Sequence, residues 1–224
     1  MFKKGDHKYA DNYRPISLTC IVCKVIETIV RKSIVNHVQV HSNKQFGFIS
    51  GRSTVLQLLK VLDRWTEILD QGGCIDVAYC DFMKAFDKVP HRRLLHKLQM
   101  YGIGENYIQW IGSFLLNRKQ KVSVNGESSE WKSVTSGIPQ GSVLGPVLFV
   151  LYINDLPDAM EFSSESYLYA DDTKIFQEIY KTSDCEDLQK DMHLMHAWSE
   201  KWMLKSHPDK CKTMRIGRSK VEKH

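Results

Sequence analysis

The sequence has no apolar run long enough to cross a bilayer. Its longest, Val143 to Ile153, is broken by Gly145 and Pro146 and falls short of the ~20 residues that a spanning helix needs. No charged segment followed by an apolar core opens the chain, which argues against a secretory signal. Six cysteines are scattered through 224 residues, and Cys20-Ile21-Val22-Cys23 finds no second Cys or His pair at zinc spacing. Neither a disulfide framework nor a structural zinc is expected; a reducing, intracellular setting (nucleus or cytoplasm) is. The Cys20–Cys23 stretch reads as part of a half-buried helix. The nine histidines are dispersed, and His91 and His96, flanking Leu94-Leu95, read as helix-surface residues. Internal repeats and low-complexity segments are lacking, and nothing points to an obligate protein partner or to a membrane.

Charge is present but uneven. The chain carries a net +5, while residues 1–60 hold ten Lys or Arg against three Asp or Glu. A basic first quarter ahead of an acidic remainder suits a grip on phosphates, although charged helices are commonly just solvated faces. At this length the chain can bury a real core, as one large domain or two closely joined lobes.

Carboxylates are the next signal. Ser166-Tyr167-Leu168-Tyr169-Ala170 reads as a short strand that ends in Asp171-Asp172, and Thr173-Lys174-Ile175-Phe176 as its return, so both acids fall at a hairpin tip. Two carboxylates this close repel, and a divalent cation relieves the repulsion; as bare turn residues they can equally be solvated. Val77 to Phe82 is a β-prone run with Asp81 near its end, and a strand ending there could meet the hairpin tip. Asp87 reads as a cap for the turn before Pro90. Three oxygen donors with open positions suit Mg²⁺, which takes its remaining ligands from water and substrate phosphates. Between the acids, Ser136-Gly137-Ile138-Pro139-Gln140-Gly141-Ser142-Val143-Leu144-Gly145-Pro146 reads as a loop able to approach a ligand closely. A buried helix should follow it, capped by Ser142 and turning Val143, Val147, Leu148 and Leu151 inward.

Asp81 to Asp87, Ser136 to Pro146 and Tyr169 to Asp172 resemble motifs A, B and C of reverse transcriptases. Asn12-Tyr13-Arg14-Pro15-Ile16-Ser17-Leu18 is similar to the fingers motif of the non-LTR (LINE-type) retrotransposon branch. Gln45-Phe46-Gly47-Phe48 with Gly51-Arg52-Ser53-Thr54 is similar to the next motif. The resemblance runs in family order from about residue 1 to 217. It implies an α/β (α+β) right-hand polymerase with an antiparallel palm sheet packed on helices, residues 1–75 as fingers and 76–224 as palm. It implies RNA-directed DNA synthesis on an RNA template, with a DNA primer, dNTPs and two Mg²⁺ ions (Mn²⁺ as substitute). Asp81, Asp171 and Asp172 would bind the metals, and Phe86 would be a steric gate against the ribose 2′-hydroxyl. Gln140 and Gly141 would lie beside the incoming base pair and template, Arg14 (with Lys3 or Lys4) would face the triphosphate, and Lys210 the leaving pyrophosphate. Against the family pattern no thumb is expected, the stretch from His37 to Gln45 is short, and Ser206 and His207 replace an aromatic and an asparagine. The alternatives are a silent fragment that still binds RNA or hybrid duplex, and an unrelated two-metal nuclease.

The rest of the pattern is mixed α/β. A helix with Val55, Leu58, Leu59, Leu62 and Leu69 inward should follow a capping box at Thr54 to Gln57 and end before Gly72-Gly73. Pro90 to about Gly102 reads as a helix buried through Leu94, Leu95 and Leu98, and a second should bury Ile108, Ile111 and Leu115. Lys121 to Val134 reads as a hairpin around Asn125-Gly126. Leu188, Met192, Met195, Trp198 and Trp202 form the stripe of a late helix beneath the sheet, and Lys212 to Ile216 a last strand.

Overall fold

The computed structural model describes residues 2–3, 5–9, 12–13, 16–38, 42–124 and 126–218. In chain order its elements are α1 (Ile21–His37), α2 (Thr54–Asp70), β1 (Cys74–Cys80), α3 (Ala85–Lys88), α4 (His91–Met100) and α5 (Glu105–Leu115). Four short strands follow, β2 (Lys119–Gln120), β3 (Ser123–Val124), β4 (Glu127–Ser128) and β5 (Lys132–Ser133). Then come α6 (Gly145–Ile153), a 3-10 turn (Pro157–Ala159), β6 (Glu165–Tyr169), β7 (Asp172–Ile179), α7 (Thr182–Trp202) and β8 (Lys212–Ile216). The chain forms two compact units, residues 1–39 with 89–149 and residues 40–88 with 150–224, and both draw on either side of residue 75.

The second unit is built on an antiparallel sheet in the order β6-β7-β1-β8. Alternation along β1 sends Ile75 and Val77 to one face, where they pack with Phe46, Val61, Ile68, Tyr167 and Phe176. The Trp65 ring of α2 meets Phe176 edge-on at 5.7 Å, and Tyr167 stacks on Phe176 at 6.0 Å. Helix α7 packs against β7 and buries Met195, Trp198 and Trp202, while its Asp191 accepts the backbone N–H groups of Glu161, Phe162 and Ser164. The hairpin at the acids, β8 and the stripe of α7 form as expected.

Helix α2 departs from expectation. Its buried face is Gln57, Val61 and Ile68, whereas Val55, Leu58, Leu59 and Leu62 are exposed. The helix is apolar over much of its circumference, so spacing alone allowed two faces, and Trp65 and Val61 took the sheet. Its cap is Ser53, whose hydroxyl accepts from Leu56 N, one residue before the expected box.

In the first unit α4 packs against α5, burying Leu94, Leu98, Ile108, Ile111 and Leu115, with Leu95 half-buried. His91 corrects the surface reading: it is buried, and its Nε2 lies 2.8 Å from the Gly137 carbonyl oxygen. Cys20 caps α1 from outside the helix and is exposed. The β2–β5 and β3–β4 pairs make the expected hairpin, with Asn125 outside the described residues. Helix α6 starts at Gly145, so Val143 precedes it, and Val147 to Ile153 are buried all round.

Candidate active site

The sheet fixes where the acids lie. Strands β1 and β7 pair from Cys74↔Ile179 to Cys80↔Thr173. Asp81 follows the last residue of β1 and Asp172 opens β7, so both acids lie at the same end of the sheet. The β6–β7 hairpin closes with Tyr169↔Asp172, leaving Ala170 and Asp171 as its two-residue loop. Ala170 is buried with φ 57°, a left-handed conformation that costs a non-glycine residue about 1 kcal/mol. Asp171 is half-buried and Asp172 exposed.

Asp81 is held by its neighbours. Phe82, 2% exposed, packs near Trp198 of α7 (centroids 6.5 Å) and bridges to Ser206, so alternation turns Asp81 the other way. The backbone closes round it, with His207 N donating to Asp81 O at 2.7 Å and Met83 N to Lys205 O at 2.8 Å. Lys210 Nζ lies 2.5 Å from Asp81 Oδ2, and the lysine side chain keeps 52% of its surface exposed. Beside them the Cys80 thiol is pushed up to about 12, by burial first and by Cys211 next. Phe86, in α3, is half-buried with its ring edge-on to Phe48 at 6.0 Å.

A metal can be tested against this donor set. The backbone brings three carboxylates to one end of the sheet, and hard oxygen donors suit Mg²⁺. An ammonium already stands on one of them, so a cation is accommodated at Asp81. Among the described residues, however, no group of three or more His, Cys, Asp or Glu side chains lies close enough to hold an ion. The chemistry of the donors fits; their side chains are not gathered.

Gln140 and Gly141 lie in the first unit, on a loop held by backbone bonds at its middle and by side chains at its ends. Gly137 N donates to Val89 O (2.8 Å), and Ser17 N donates to Gln140 O (2.7 Å). Gly141 has φ 102°, and a Cβ there would stand 3.0 Å from Ser17 O. Ser142 Oγ accepts from Gly145 N (2.8 Å), and Glu27, fully buried, accepts from Leu144 N (3.0 Å). Glu27 was not foreseen, and its one signal is a lone acid on the apolar α1. Arg14 and Lys4 lie outside the described residues, and Lys3 is exposed.

The profile of the family described as reverse transcriptase (RNA-dependent DNA polymerase) matches residues 2–222. The RNA-directed DNA polymerase from mobile element jockey of Drosophila melanogaster is 31% identical over 211 residues, covering 90% of this chain and 23% of that protein. The Pol polyprotein from type-1 retrotransposable element R1 of Bradysia coprophila is 30% identical over 200 residues, covering 85% of this chain and 19% of its own. The chain thus spans about a quarter or less of the length of these curated relatives. Among solved structures, telomerase from Candida albicans in complex with a telomeric RNA fragment superposes with a TM-score of 0.63 at 11% identity, covering 88% of this chain and 35% of that one. Apo telomerase from Candida tropicalis gives 0.60 at 10% identity, covering 89% and 41%. These likenesses bear out the expected mixed α/β right-hand polymerase fold. No helix among the described residues is long and apolar enough to cross a membrane. With its motifs in family order and its profile matched almost end to end, the chain belongs to the reverse transcriptase family, on the branch of the non-LTR retrotransposons.

Proposed function

We propose that the chain is the polymerising part of an RNA-directed DNA polymerase, with Asp81, Asp171 and Asp172 holding two Mg²⁺ ions (Mn²⁺ as substitute). The supporting observation is that β1 ends at Cys80, immediately before Asp81, beside the start of β7 at Asp172, with Asp171 in the adjoining hairpin loop, so the three acids share one end of the sheet. Bound there, the ions would favour the nucleophilic form of a primer 3′-hydroxyl and offset charge on a departing pyrophosphate.

The chain's own residues supply position and charge. Lys210 hangs on a half-exposed tether and can exchange Asp81 for a phosphate oxygen of the leaving group. Phe86, its ring set by Phe48, would reject a ribose 2′-hydroxyl and so select dNTPs. Gln140 and Gly141 would border the incoming base pair and template, where glycine admits close approach. Arg14 would face the triphosphate. On this reading residues 1–75 serve as fingers and 76–224 as palm, and the basic first 60 residues grip RNA template and DNA primer through their backbones, with little reading of sequence. Catalysis then rests on positioning and electrostatics, with no protein nucleophile.

Primer extension on an RNA template with Mg²⁺ and dNTPs tests the reading. Extension should fall by roughly a hundredfold or more in Asp171→Asn, as when an electrostatic stabiliser of developing charge is lost. Binding of primed template without extension supports a silent RNA-binding chain instead, and degradation of the template a nuclease.

A further inference from the structure

The motif Gln45-Phe46-Gly47-Phe48 with Gly51-Arg52-Ser53-Thr54 has no part in the chemistry above, yet it is built against the acidic turn. Gln45 is fully buried. Ala170 N donates to its Oε1 at 2.9 Å, and Gly47 N donates to the same oxygen at 2.7 Å. Its Nε2 donates in return to Ala170 O at 3.2 Å. Two N–H donors meeting one amide atom identify that atom as the oxygen. One carboxamide therefore satisfies both backbone groups of the residue that precedes Asp171.

The surroundings hold that carboxamide in place. Gln45 bridges to Leu168 in parallel, with Phe46 N donating to Leu168 O and Leu168 N to Lys44 O, both at 2.8 Å. Arg52 Nη1 donates to the carbonyls of Ser42 (2.6 Å) and Gln45 (2.5 Å), with its guanidinium 5.4 Å from the Phe46 ring centroid. Gly47 lies so close that a Cβ there would stand 2.3 Å from Ala170 N. Without these partners, left-handed Ala170 would be a strained residue with buried, unmet polar groups.

We propose that Gln45 is a positioning residue for the acidic turn: its carboxamide holds Ala170 in the left-handed conformation and thereby sets where Asp171 and Asp172 point. Arg52 and Gly47 complete the clasp, one by bracing the loop and the other by letting it approach. The link to the turn's chemistry rests on the polymerase reading; the clasp itself does not.

Two measurements separate them. Amide hydrogen exchange in the unaltered chain should show Ala170 N–H protected like a sheet amide, and fast exchange there overturns the clasp at once. Gln45→Glu keeps the acceptor but loses the donor to Ala170 O, and Gly47→Ala wedges the loop away while keeping Gln45. Both should speed exchange at Ala170 by roughly tenfold or more with Val77 in β1 unchanged. Both should also weaken Mn²⁺ binding, followed by the paramagnetic resonance of the free ion, by on the order of tenfold, as for residues that orient metal ligands. Faster exchange with unaltered Mn²⁺ affinity overturns the positioning role. If the unaltered chain binds no Mn²⁺, the polymerase reading fails, and the exchange rate at Ala170 decides the clasp alone.

Discussion

The acidic end of the sheet and the middle of the loop from Gly137 to Gly145 are both irregular backbone at candidate substrate-binding positions, and they are stiffened by different means. The acidic end is fixed from outside by buried side chains remote in sequence, Gln45 on Ala170 and Phe82 against Trp198. The loop is held at its two ends by side chains, His91 on Gly137 O and Glu27 and Ser142 on Leu144 N and Gly145 N. Its middle, Gln140 and Gly141, is set by main chain, with Ser17 N bonded to Gln140 O and a glycine at φ 102° passing close to Ser17. In the first case the cost of a substitution should follow what the side chain fills. In the second, adding a single carbon should do the damage.

That contrast can be broken experimentally. Phe82→Ala should cost about 3–5 kcal/mol of unfolding free energy in urea, the price of an emptied aromatic site; a cost below about 1 kcal/mol would show the acidic end is not anchored through its core. Gly141→Ala should cost about 2 kcal/mol in the same measurement, from a positive φ and crowding against Ser17, and a neutral result would remove the case for a backbone-limited loop. Phe86→Ala sharpens the contrast on selectivity: in a preparation that extends primers, use of ribonucleotides relative to deoxynucleotides should rise roughly tenfold, and an unchanged ratio rejects the gate. The smallest effect is expected at Ala170→Gly. Relief of the left-handed residue is offset by glycine entropy and a lost buried methyl, each about 0.5–1 kcal/mol, so stability should change by less than about 1 kcal/mol.

Legibility in the sequence follows the range of the forces. The hairpin at Asp171, the strand Lys212–Ile216 and the helices after Pro90 were readable because local alternation, helical spacing and turn residues all agree there. Helix α2 was half readable: its span follows from its apolar content, but its buried face is chosen by Phe46, Tyr167 and Phe176, which no local pattern reveals. His91 looked like a surface residue because its partner, the Gly137 carbonyl, is 46 positions away. Gln45 was visible only as part of a motif; its partner Ala170 is 125 positions distant, and a backbone group leaves no trace in residue type. The order of the acids was plain, whereas the lysine resting on Asp81 needed coordinates.

Lys210 hangs from the bend between Ser206 and β8, and its contact with Asp81 is open to water. Ions in the medium screen such a contact, and a pair of this kind adds little to overall stability. Losing this contact should therefore leave the core behind the sheet end unaffected, and the pairing should weaken as ionic strength rises.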